Sequence, residues 1–184
     1  MVHFSTTILV FAALITTGFA VPARRDVSQV DNDISNIGLT VENLNTVIAS
    51  IAANGTAGLA SSSDFRLAVI SVENATNVAT NDLKNTSPLS DADADALIQV
   101  LQPVAQDVVD TLSELINTKN VFDNVGAGPA ILLGLQELQL DTGDFQAALN
   151  AIIPANQKLT VDGINSKVNN ALESALEAYR DENN

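Results

Sequence analysis

The chain has 184 residues with 22 acidic against 8 basic, a formal net charge of −14. Nucleic acid and anionic membrane both need positive patches, so this balance excludes them as natural partners. There is no cysteine, and the single histidine is His3, so disulfide bracing and the usual zinc ligands are missing.

Ile8 to Ala20 (ILVFAALITTGFA) is a short apolar run ending in the small residues Gly18 and Ala20, which reads as a signal peptide over residues 1–20. Val21-Pro22-Ala23-Arg24-Arg25 follows directly. The arginine pair is either the end of a short propeptide (21–25) or two surface arginines. Residues 26–184 then form one domain, large enough for a single core. Without Arg24 and Arg25, 6 basic residues face 22 acidic ones, a net charge of −16. No second apolar run of about twenty residues follows, so no transmembrane segment is expected. The polar C-terminus carries no anchor signal. The reading is a secreted, extracellular product.

From Val27 the apolar residues fall at Val30, Ile34, Ile37, Val41, Leu44, Ile48 and Ile51, in alternating steps of three and four. That spacing brings every one of them to the same side of an α-helix, predicted from about Asp26 to Ala53 and stopped at Gly55. Ser61 to Asp64 offer caps for a second helix, whose stripe is Phe65, Val69, Val72, Thr76, Ala79 and Leu83, ending before Ser87-Pro88. Ser90 caps a third, with Asp91, Asp93 and Asp95 near its positive end. Its stripe is Leu97, Leu101, Val104, Val108, Leu112 and Leu115, extending to Phe122. Pro103 lies inside it and cannot donate to the Gln99 carbonyl, which predicts a kink costing ~3 kcal/mol if uncompensated.

Gly126-Ala127-Gly128-Pro129 is a turn, with Pro129 suited to the first position of a fourth helix. Its stripe is Ile131, Leu135, Leu138, Thr142, Phe145, Leu149 and Ile152, weakened at Gly143 by ~1 kcal/mol relative to alanine. Pro154 marks the next boundary. The last stripe is Val161, Ile164, Val168, Leu172, Ala175 and Tyr179. No period-two pattern competes. The fold class is all-α: a monomeric five-helix antiparallel bundle with either an aliphatic core or a central lipid cavity.

The inner positions nominated to line such a cavity come from every helix. They are Val41, Leu44 and Ile48; Val69, Val72 and Thr76; Leu101, Val104 and Val108; Leu135, Leu138, Thr142 and Phe145; Val168 and Leu172. Thr76 and Thr142 stand in core register. Their hydroxyls either bond their own i−4 carbonyls or face a ligand's polar end. Pro103 and Gly143 interrupt helices in mid-span, where a void needs compliance.

Catalysis finds little support. With no histidine or cysteine beyond the leader, the nucleophile–base arrangements are absent. Carboxylates are plentiful but fall on solvated faces or at helix starts. Asp91-Ala-Asp-Ala-Asp95 starts like a calcium loop yet lacks its turn glycine and closing glutamate, so helix capping explains it. No catalytic residue, metal or cofactor is expected. Three sequons, at Asn54, Asn74 and Asn85, are glycosylation acceptors in a secreted chain. Asn54 and Asn85 fall in predicted turns and Asn74 inside a helix.

The leader, the dibasic pair, the strict register of Val27–Ile51, the segment LIQVLQPVAQDVV with its internal Pro103, and the closing ALESALEAY together resemble one known family. It is the fungal hydrophobic surface-binding protein family, which includes the cell-wall galactomannoprotein ligand-binding domains. The resemblance implies a secreted five-helix glycoprotein that binds fatty acid or another lipid, or that coats hydrophobic surfaces and recruits a secreted hydrolase there. The chain has no Ser/Thr-rich stalk, which favours free release over cell-wall association. Two functions follow: lipid binding inside the bundle, and adsorption by helices that open at an interface. The alternative is a structural cell-wall mannoprotein or a surface adaptor.

Overall fold

The computed structural model describes residues 27–54 and 59–180. The expected leader, the Arg24-Arg25 pair and the Gly55 stop lie outside the described residues. Within them the chain is helical: α1 Val27–Asn54, α2 Leu59–Lys84, α3 Asp91–Asn117, α4 Lys119–Asp123, α5 Gly128–Ile152 and α6 Lys158–Arg180. Five are long, and α4 is a single extra turn. α2 starts earlier than expected, so Ser61 to Asp64 lie within it rather than capping it.

Local chemistry sets the boundaries. Ser90 Oγ accepts from the Asp93 amide at 3.2 Å and donates to the Asp93 carboxylate at 2.6 Å, a reciprocal cap on α3. α3 runs through Pro103, whose ring is exposed, and ends at Thr118. There the Thr118 hydroxyl and backbone N–H both donate to the Glu114 carbonyl, at 2.8 and 2.9 Å. The chain restarts as α4, so Phe122 keeps the register of the α3 stripe from a separate helix. Gly126 takes φ +70°, the left-handed turn that a Cβ would disfavour, and Pro129 opens α5.

The α1 stripe from Val30 to Ile51 is buried without exception, as are Phe65 to Leu83 of α2 and Val161 to Tyr179 of α6. Apart from Val27 at the start of α1, four stripe positions stay half-buried: Val104 and Val108 at mid-α3, and Leu138 and Thr142 at mid-α5. The tilted Phe65–Phe122 ring pair, 5.4 Å apart, closes the end of the bundle that α4 covers.

The five long helices pack in the cyclic order α1, α2, α5, α6, α3 and back to α1. A ring of five cannot alternate direction all the way round, so the all-antiparallel expectation needs correction. α2 and α5 run parallel: Val69 packs against Gly134, and seven or eight residues on, Asn77 Nδ2 donates to Asp141 Oδ2 at 3.3 Å. α3 and α6 are also parallel. The Gln157 amide donates to Asp95 near their starts, and Tyr179 Oη donates to the Leu115 carbonyl at 3.0 Å near their ends. Among the described residues no helix is long and apolar enough to cross a membrane.

Candidate functional site

Five rods packed in a ring, each chiefly against its two neighbours, leave an axial space. That space is a pocket of about 100 Å³ to which all five long helices contribute. Of the nominated residues, Val41 and Leu44, Val72 and Thr76, and Leu101, Val104 and Val108 line it, as do Leu138, Thr142, Phe145, Val168 and Leu172. Three do not. Ile48 and Leu135 are buried in the closed core, and Val69 faces the outer α2/α5 groove instead.

The lining also holds four stripe residues outside the nominated set, Ile34, Ile37, Leu112 and Ile164, and four that lie off the stripes, Ala105, Thr111, Gln146 and Asn165. No lining side chain carries a charge. The four half-buried stripe positions, Val104, Val108, Leu138 and Thr142, all belong to this lining.

The hydroxyls give the pocket its polarity. Most helical serines and threonines return their proton to the preceding turn, such as Thr46 to Glu42, Thr80 to Thr76 and Ser113 to Val109, at 2.8–3.0 Å. Thr76, Thr111 and Thr142 make no such bond among the described residues, and all three line the pocket. They sit close in height. Thr76 and Thr142 each adjoin a member of the Asn77–Asp141 hydrogen bond. Gln146–Asn169 and Tyr179–Leu115 fix the register of α5, α6 and α3. In that register Thr142 is level with residue 173 and Thr111 with residue 175, about 3 Å apart along the axis. Thr111 was missed from sequence because it flanks Leu112 at the stripe's edge.

The pocket meets water at its amides. Gln146 and Asn169 exchange two hydrogen bonds across the α5/α6 seam, at 3.0 and 3.1 Å, and Gln146 and Asn165 both reach the lining.

A second hollow of about 530 Å³ lies outside, between α2, α4 and α5. Its apolar floor includes Phe65, Ile70, Phe122 and Leu133, and Arg66, Glu73 and Glu137 edge it. Burial, then the like charges of Glu137 and Asp141, push the Glu73 carboxyl above its usual range. Asp141 is also raised, chiefly by burial, against the lowering effect of its Asn77 hydrogen bond.

Of the three sequons, Asn74 and Asn85 have exposed side chains, and Asn54 is the last residue of α1.

The family model described as hydrophobic surface binding protein A matches residues 27–151. A crystal structure of AFMP4P in complex with palmitic acid aligns with a TM-score of 0.79 at 26% identity, covering 84% of this chain and 99% of that one. Ligand binding domain 2 of the Penicillium marneffei MP1 protein, complexed with multiple arachidonic acids, aligns with a TM-score of 0.76 at 20% identity, over 85% of this chain and 97% of that one. Ligand binding domain 1 of the same protein, with arachidonic acids, gives 0.66 at 21% identity, over 80% and 98%. No curated protein matches by sequence.

Proposed function

The chain belongs to the hydrophobic surface binding protein A family, and from that premise we propose a secreted, non-catalytic protein that takes a fatty acid into the centre of its helical ring. The observation that carries this reading is the uncharged axial pocket bearing three threonine hydroxyls free of intrahelical bonds. The structural neighbour with palmitic acid supports the ligand class. An acyl tail gains ~0.8 kcal/mol for each methylene moved from water into the aliphatic lining. Its carboxyl group finds no lysine or arginine there, so Thr76, Thr111 and Thr142 supply the donors.

The pocket as it stands is smaller than the ~150 Å³ void that accepts benzene, so a long chain enters only as the helices spread. Native mass spectrometry on protein purified from a eukaryotic host tests the reading, with a mass increment matching one or more fatty acids expected. If none co-purifies and palmitate cannot be loaded, the proposal fails.

A second reading is favoured by the outer surface. Leu67, Ile70 and Val78 of α2 and Leu133 and Leu140 of α5 are exposed, Leu140 by 73%, on two adjacent helices. That face suits adsorption to a hydrophobic solid. Depletion by hydrophobic beads, beyond that of an acidic control protein, is the expected result. Asn74 stands on the same helix, so a glycan there would shield the face.

A further inference from the structure

We propose that the lipid enters between α5 and α6, through a seam that opens like a clamshell about α1 and is latched by the Gln146–Asn169 amide pair. This rests on the lipid-binding reading above and adds the route. Side-chain bonds tie the ring into two helix pairs. Asn77–Asp141 and Lys84–Asp144 tie α2 to α5. Gln157–Asp95 and Tyr179–Leu115 pin α6 to α3 near both ends. α1 packs against α2 and α3 and so joins the pairs along one side, like a spine. The seam across the ring from α1 is α5/α6, where the pairs meet.

That seam is rich in uncharged amides. It carries Gln146 and Asn150 from α5 with Asn165 and Asn169 from α6. Gln146 and Asn165 reach the pocket, placing its polar rim there. Counting four residues forward along α5 and four back along α6 from Gln146–Asn169 brings Asn150 level with Asn165. Asn150 Oδ1 is buried without a hydrogen-bond partner among the described residues. Amides parted from one another recover hydrogen bonds from water, whereas parting an apolar seam leaves its surface uncompensated. The α1/α3 seam is of the second kind, with Gly38 so close to Val104 that an added Cβ would stand 3.0 Å from Cγ2. A carboxylate passing between α5 and α6 also meets amide N–H donors on its way to the threonines.

The test uses the absence of native cysteine. Gln146→Cys/Asn169→Cys, bridged by a short thiol-reactive cross-linker, closes the proposed route. Gln106→Cys/Lys167→Cys, bridged the same way, staples the α3/α6 groove that both native residues line. Exchange of a fluorescent fatty acid should stall in the first protein and proceed at the unbridged rate in the second. Asn169→Ala, which lies outside the pocket lining, should speed uptake and release together by roughly fivefold, the effect of losing neutral hydrogen bonds, with little change in Kd. Unchanged exchange in the α5/α6-bridged protein, or stalling only in the α3/α6-bridged one, overturns the gate while leaving the lipid reading intact. Failure of the wild-type protein to take up the probe at all overturns both.

Discussion

Threonine is a poor residue for an aliphatic core unless its hydroxyl is satisfied, and most threonines in this fold solve that within their own helix. Thr76, Thr111 and Thr142 make no such bond among the described residues, and all three line the pocket. A hydrogen bond to a charged group is worth ~1.5–3 kcal/mol, so losing one donor to a carboxylate weakens binding about tenfold or more. Thr111→Val and Thr142→Val should therefore raise the Kd for a fatty acid by that factor and leave its methyl ester almost unaffected, read by fluorescence displacement. Equal losses for acid and ester would mean that the hydroxyls only shape the pocket. Two of these threonines were legible because they interrupt a three-four stripe. Thr111 was not, since it lies beside Leu112 at the stripe's edge and no break in the three-four period marks it.

At the scale of helices, the stripes fixed which faces turn in, and they did so nearly residue by residue in α1, α2 and α6. They carried no information on which helices become neighbours. The parallel α2/α5 and α3/α6 pairs follow from the order of the helices around the ring, and so do the positions of Gln146 and Asn165, which flank stripe positions Phe145 and Ile164. Pairing has an electrostatic consequence along α2/α5, where Glu73 meets Glu137 and Asp141. The raised Glu73 and Asp141 carboxyls bind protons more tightly folded than unfolded. Their contribution to stability is therefore most favourable below the unfolded carboxyl range. It declines as pH climbs from there through the higher folded values. Tm should accordingly rise on acidification from neutrality toward about pH 5, where the overall negative charge is also easing. Glu73→Gln should flatten that rise and stabilise the protein at pH 7. A variant that melts at the wild-type temperature at both pH values would show that the seam does not feel the charge.

For the whole molecule, the ring and the pocket pull stability and function in opposite directions. The side chains around the axis lack packing partners on one face, so the unliganded protein forgoes dispersion energy that a filled core would gain. A ligand that binds only the folded ring returns it, contributing ~2.7 kcal/mol at a hundredfold excess over Kd and raising Tm by about 5–10 °C for a domain of this size. A side chain can do the same permanently. Ala105 is buried and stands on α3 between the pocket and the α3/α6 groove, so Ala105→Leu adds three carbon atoms at the wall of the void. Cavity filling of this kind commonly adds ~0.5–2 kcal/mol, and here it should occupy the space that an acyl chain needs. The expected variant is more heat-stable than wild type when empty, gains little from added palmitate, and releases it faster. If it instead binds palmitate with wild-type affinity, the chain lies elsewhere, and the outer groove floored by Phe65 and Phe122 becomes the place to look.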